Sequence, residues 1–285
     1  MRLKEIQHIF HKELDAIYDT NEVDSFFLLL IEAYYKISRL QMAMDPNIAL
    51  EDDGKMVSAL DALKNEVPIQ YIIGETVFFG LPFKVDENVL IPRPETEELV
   101  DWIIKKTTVP NPTILDIGTG SGCIAVTLAK KMPEAKVFAL DVSKEALEVA
   151  TENAILNETT VDFLKADILD SNTWSTDFKK LKFDVVVSNP PYVREQEKAR
   201  MKSNVVDNEP HLALFVSDEN PLQFYKAITN FSTTNLKVGG RLFFEINEYL
   251  GNDMIQLLKA HNFVNIELKQ DIFKRDRMIK GQIQK

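Results

Sequence analysis

The sequence predicts an α/β protein, a doubly wound and mostly parallel sheet of seven strands, with a small N-terminal helical bundle and a hairpin linker. Three observations predict it. From residue 112 onward, short β-branched runs alternate with longer stretches of helical periodicity. The first 75 residues carry apolar side chains at helical spacing and no strand signal. Between them, aromatic runs flank a Gly-Leu-Pro turn. The expected division is a helical domain at 1–75, a hairpin linker at 76–94 and an α/β domain at 95–285.

In chain order, Ile6, Ile9, Phe10, Leu14 and Ile17 share one helical face. Asp24 is placed to cap a second helix running through Phe27, Leu30, Ile31, Tyr34, Tyr35 and Ile37. A third helix covers Met56 to Leu63, and a short one around Tyr71 stops at Gly74. Val77-Phe78-Phe79 and Phe83-Lys84-Val85 form the two arms of the hairpin around Gly80-Leu81-Pro82. Pro92-Arg93-Pro94 and the acidic turn Glu95 to Glu98 start a helix, because carboxylates suit its positive end. Strands follow near 113–117, 136–141, 161–167, 183–188 and 241–246. Helices fall near 122–132, 143–156, 221–235 and 251–261. Phe263 to Gln270 and Arg277 to Ile283 are two further strands joined by a charged turn, so that pair is antiparallel.

Composition excludes several classes. A chain of 285 residues, 45% hydrophobic and 27% charged, can bury an ample core. Its apolar run Phe26 to Ile31 is cut by Glu32, far short of a membrane span, and the first residues lack the apolar core of a signal peptide. A lone cysteine, Cys123, forbids an intrachain disulfide and fits a cytoplasmic location. Four histidines and one cysteine make no metal-ligand pattern, so no metal is expected. The net charge of −11 opposes general nucleic-acid binding. Residues 1–75 hold 7 Lys and Arg against 14 Asp and Glu, a net −7. Such a surface serves solubility or offers a docking face to a basic partner. A monomer is expected.

Two stretches carry chemistry. Leu115-Asp116-Ile117-Gly118-Thr119-Gly120-Ser121-Gly122 is a strand followed by a glycine turn, whose backbone can pass beneath a ligand at a helix N-terminus. Alone it suits any nucleotide-like cofactor. Asp141 ends the next strand, where a carboxylate can accept both hydroxyls of a ribose, and Asp167 with Ile168 ends the third, where an adenine would lie. The second stretch is the buried strand Phe183 to Val187, closed by Ser188-Asn189-Pro190-Pro191-Tyr192. Neither proline can donate a ladder hydrogen bond, so the strand ends in a rigid corner. There the Asn189 oxygen and the Pro190 carbonyl can accept both N–H groups of a planar nitrogen while Tyr192 stacks on its plane. Such a nitrogen belongs to a carboxamide or to the exocyclic amine of a base.

With these residues in place, the sequence resembles the class I S-adenosylmethionine-dependent N-methyltransferases with their Rossmann-like sheet. Specifically, it is similar to the release-factor glutamine methyltransferases. The resemblance rests on Gly118 to Gly122 with Asn189-Pro190-Pro191-Tyr192, and on Pro68 to Gly74, Phe79 to Phe83, Leu90 to Glu97 and Asn208-Glu209-Pro210. It departs at Glu245-Ile246-Asn247, where glycine is usual in place of Asn247. It departs again at Asp271 to Arg277, which lacks the usual glycine. Neither departure is expected to touch the site. The resemblance implies methyl transfer from S-adenosyl-L-methionine, leaving S-adenosyl-L-homocysteine. The acceptor would be the glutamine side-chain nitrogen in the Gly-Gly-Gln motif of class 1 peptide release factors. Asn189, Pro190 and Tyr192 would be catalytic, with Pro191 in the substrate corner. Gly118, Thr119, Gly120, Ser121, Gly122, Asp141, Asp167, Ile168 and Asn189 would hold the cofactor. Two alternatives stand beside it. One is an N-methyltransferase of adenine in DNA or guanine in ribosomal RNA, which the acidic balance opposes. The other is a non-catalytic nucleotide-binding module.

Overall fold

The computed structural model describes residues 1–45 and 47–284. They form two compact units, Met1–Gly74 with Lys202–Asn208, and Glu75–Met201 with Glu209–Lys285. The first unit is helical. It contains α1 (Leu3–Leu14), α2 (Thr20–Tyr35), α3 (Arg39–Met44), α4 (Gly54–Lys64) and α5 (Ile69–Ile73). Phe10, Leu14, Phe27, Leu30, Ile31, Met56 and Leu63 make its dry centre. Gly74, in the left-handed conformation, caps α5.

Three details depart from the sequence reading. Asp19, not Asp24, caps α2, accepting from Asn21 N at 2.9 Å. Asp24 sits one turn inside the helix and accepts from Gln7 Nε2 at 2.8 Å. The polar run Asp19-Thr20-Asn21 competes for the cap and wins because it precedes the first apolar turn. Helix α3 was not foreseen, since none of its residues is buried and periodicity had nothing to report. Its signal is local: Ser38 and Gln41 form a reciprocal capping box. Finally, residues 202–208 return to the helical unit, where the Ser203 hydroxyl donates to Glu66 Oε1 at 2.7 Å.

The second unit begins with the hairpin β1 (Glu75–Phe78) and β2 (Leu81–Lys84), then α6 (Pro94–Lys106). Strands and helices then alternate: β3 (Thr113–Ile117), α7 (Cys123–Lys131), β4 (Lys136–Asp141), α8 (Lys144–Leu156) and β5 (Asp162–Lys165). After α9 (Thr176–Lys180) come β6 (Phe183–Ser188) and β7 (Val193–Arg194); α10 (Ser203–Val206) lies in the helical unit. The chain continues through α11 (His211–Leu214), β8 (Phe215–Val216), α12 (Gln223–Asn235), β9 (Leu236–Glu245) and α13 (Gly251–Ala260). It ends in β10 (Phe263–Gln270) and β11 (Asp276–Ile283).

Among the described residues, seven strands form one sheet in the order β10-β11-β9-β6-β3-β4-β5. All neighbours are parallel except β11, which runs antiparallel to both β9 and β10. Alternation along the strands builds two cores. Leu115, Ile117, Val186 and Phe244 belong to one, and Ile114, Val185, Val187 and Phe243 to the other. Burial on both faces is why the strands read as continuous apolar runs. Strand β9 starts five residues earlier than expected, because Gly239-Gly240 reads as a turn in composition. The chain instead absorbs the pair within the strand, with a register shift on β6 between Phe183 and Val185.

Candidate active site

Strand order reverses between β3 and β6, because the chain goes from β3 to β4 and β5 on one side, then returns to β6 on the other. A crevice opens outside the carboxyl ends of strands at such a point. Ile117 and Ser188 are register partners, and the Ser188 hydroxyl donates to the Ile117 carbonyl at 2.6 Å. The glycine turn and the Asn-Pro-Pro corner therefore leave the sheet side by side. Both line one cavity of about 260 Å³.

The turn is held open by backbone geometry. Gly118, Gly120 and Gly122 all have positive φ, at 73°, 54° and 79°. Gly122 also packs closely, since a Cβ there would lie 3.0 Å from the Ala150 Cβ. Thr119 and Ser121 are buried within the turn and line the cavity. Asp141 accepts from Gly120 N at 2.9 Å and from Ser143 N at 3.0 Å, one bond to each carboxylate oxygen. Burial raises its pKa, while those N–H donors pull it back. Its remaining lone pairs can still accept from a diol.

Asp167 and Ile168 line the same cavity, but they lie beyond β5, which ends at Lys165. Asp167 holds the following turn, accepting from Leu169 N at 2.8 Å. Leu140, Ala166, Phe224 and Ile228 supply apolar wall. Cys123 lines the cavity too, and burial pushes its thiol up to about 12, so it stays protonated and inert. An apolar slot, a carboxylate for a diol and a glycine turn at a helix N-terminus together fit S-adenosylmethionine. No group of three or more His, Cys, Asp or Glu is placed to hold a metal ion among the described residues. No helix among them is long and apolar enough to cross a membrane.

Asn189, Pro190 and Pro191 line the cavity; Tyr192 does not. Its ring packs against the core beneath the sheet's end, and its hydroxyl donates to Glu245 Oε1 at 3.1 Å. Burial, then the Glu245 charge, raise the phenol's pKa far above its ordinary value. In this arrangement the ring braces the corner from the core side.

Several neighbours stand outside the site residues that the sequence suggests, although Thr96 and Glu209 lie in stretches that carry the resemblance. Thr96, at the start of α6, lines the cavity, accepts from Asn189 Nδ2 at 3.3 Å and donates to Glu245 Oε2 at 2.6 Å. Glu209 accepts from Arg93 Nη2 at 2.5 Å and from Ile91 N at 3.2 Å, tying the linker to the loop that carries Pro210. The departure at Asn247 does reach this region, contrary to expectation. Asn247 Nδ2 donates to the Tyr192 carbonyl at 3.1 Å and to Glu197 at 2.9 Å. Asparagine serves at 247 because the position does not adopt a positive φ, so no glycine is required. In the Asp271 to Arg277 turn, Lys274 takes the left-handed conformation at φ 61° in place of a glycine.

The chain is similar to known methyltransferases. Residues 96–213 match the family model of the methyltransferase small domain. A release factor glutamine methyltransferase of Flavobacterium psychrophilum is 49% identical over 98% of this chain and 99% of its own length. That of Bacteroides thetaiotaomicron is 40% identical over 97% and 99%. Among solved structures, a methyltransferase of Pyrococcus furiosus aligns with a TM-score of 0.54 at 18% identity, covering 73% of this chain and 92% of that one. A T. thermophilus 16S rRNA N2 G1207 methyltransferase, solved with AdoMet and guanosine, aligns at 0.53 and 16% identity, covering 74% and 50%. These two likenesses speak to the fold. With full-length relatives at such identity, and the glycine turn and Asn-Pro-Pro corner on one cavity, the chain belongs to the release factor glutamine methyltransferase family.

Proposed function

We propose that this enzyme transfers a methyl group from S-adenosyl-L-methionine to the side-chain nitrogen of the glutamine in the Gly-Gly-Gln motif of class 1 release factors, in the cytoplasm. The observation that carries the reading is the register pair Ile117–Ser188. It sets the cofactor turn and the Asn-Pro-Pro corner on adjacent strand ends facing one cavity. Gly118 to Gly122 and Asp141 would hold the amino-acid and ribose parts of the cofactor, with Asp167 and Ile168 beside the adenine. When bound, the cofactor supplies a methyl group on a sulfonium, already a good leaving group.

The residues of this chain position the acceptor. Asn189 Oδ1 and the Pro190 carbonyl accept the two N–H groups of the glutamine amide and fix its plane. Two acceptors favour an amide over a carboxylate, which offers no such pair of donors. Orientation of this kind can supply a large part of a rate enhancement. Pro191 keeps the corner rigid, and Tyr192 supports it from the core side. The acidic helical unit would engage the body of the release factor.

A labelled-methyl assay offering release factor, DNA and ribosomal RNA side by side tests the reading. Label in the release factor alone is expected. Label only in nucleic acid would overturn it, and cofactor binding without any transfer would favour a non-catalytic module.

A further inference from the structure

We infer that Glu245, acting through Thr96, sets which end of the Asn189 carboxamide faces the substrate, so that both are positioning residues for methyl transfer. The inference rests on the role given to Asn189 above and adds what fixes its polarity. An asparagine amide is nearly symmetric in shape, and its two ends differ only in hydrogen bonding. If the NH2 end faced the glutamine amide, donor would meet donor and the corner could not bind it.

The chain of bonds decides the orientation. Glu245 ends β9 beside Ser188 on β6, and its carboxylate is buried. An ionised carboxylate only accepts, and both oxygens are engaged, one by the Tyr192 hydroxyl and one by the Thr96 hydroxyl at 2.6 Å. Thr96 has a single hydroxyl proton, and it is committed to Glu245. Toward Asn189 the Thr96 oxygen can therefore only accept, which draws the Asn189 NH2 group to it at 3.3 Å. Oδ1 is left to point away from Thr96, free to accept from substrate. Burial and the Glu95 charge raise the Glu245 pKa, and Thr96, Arg277 and Tyr192 oppose the rise without cancelling it; the oxygen facing Thr96 accepts its hydroxyl proton as long as it carries none of its own. An amide at 245 would remove the constraint, since its NH2 could donate to Thr96 and release the hydroxyl proton toward Asn189 Oδ1.

The test uses the full-length enzyme with Thr96→Val, Thr96→Ser, Glu245→Gln and Asn189→Ala. The readouts are kcat and KM on release factor, cofactor affinity by calorimetry and the unfolding midpoint. Thr96→Val and Glu245→Gln are expected to lower kcat at least about tenfold, below the hundredfold typical of losing a direct contact. Cofactor affinity should stay within about twofold. Thr96→Ser, which keeps the hydroxyl, should restore most of kcat. Normal kcat in Thr96→Val beside an inactive Asn189→Ala would overturn the relay and leave the Asn189 reading intact. Normal turnover in Asn189→Ala would overturn that reading, and the relay with it. Equal losses in Thr96→Ser and Thr96→Val, accompanied by weaker cofactor binding, would reduce Thr96 to a structural role. If Glu245→Gln does not fold, the Thr96 pair decides the question.

Discussion

Asn153 and Lys84 exchange a reciprocal pair of hydrogen bonds. Lys84 N donates to Asn153 Oδ1 at 2.6 Å, and Asn153 Nδ2 donates back to the Lys84 carbonyl at 3.0 Å. The same Nδ2 donates to the Ser121 carbonyl at 2.8 Å. One fully buried side chain on α8 thus joins the hairpin to the glycine turn. Asn153→Ala would leave backbone groups of Lys84 and Ser121 short of partners, so a loss of about 2–4 kcal/mol of stability is expected. Denaturant unfolding measures it, and a loss below about 0.5 kcal/mol would show that the side chain is dispensable.

Asp141 is expected to matter for binding. Asp141→Ala should weaken S-adenosylmethionine affinity by about 1.5–3 kcal/mol, the range for hydrogen bonds to a charged group. Calorimetry checks this. Unchanged affinity would mean that Asp141 serves only to brace Gly120 and Ser143.

Asp116 predicts a pH dependence. Burial pushes its carboxyl from 3.8 up to about 7, against the Thr119 hydroxyl, which donates to it at 2.7 Å. The folded protein therefore keeps a proton that the unfolded chain releases between those values. This contribution is fully present below pH 3.8 and falls away as pH rises toward about 7, where it levels off. Asp116→Asn removes the titration. Relative to that variant, the unmodified protein should lose on the order of 4 kcal/mol across the window. Unfolding curves at several pH values measure the difference, and parallel profiles would contradict the shift.

The helical unit predicts a charge effect. Glu32, Glu51 and Asp61 are exposed acidic residues in it. Replacing all three with lysine should raise KM for intact release factor several-fold at low salt, with little change for a short Gly-Gly-Gln peptide. The difference should shrink at high ionic strength, as the screening length falls to about 3 Å at 1 M. An unchanged KM for the protein substrate would remove docking from the roles of this surface.

Much of this was legible because local signals agreed with global ones. Strand β3 is an apolar run between Pro112 and Gly118, β6 is one closed by Asn189-Pro190, and the Gly118 turn needs the positive φ values that it adopts. Helix α3 was hidden because it buries nothing, and Asp24 misled because a better cap stood five residues earlier. The support of the site was harder to read for another reason. Thr96 and Glu245 are 149 residues apart, and nothing in the stretches that hold them assigns either a part in the site; only the fold brings them to Asn189. A sequence shows what a strand end can offer, but not which distant hydroxyl will orient it.

The most direct measurement is to locate the methyl group. Purified release factor is incubated with this enzyme and S-adenosylmethionine, digested, and its peptides sequenced by tandem mass spectrometry. The account predicts one added methyl on the glutamine side chain of the Gly-Gly-Gln peptide, lost when Asn189→Ala replaces the enzyme. A methyl group on another residue, or on the same glutamine with Asn189→Ala at full rate, would contradict it.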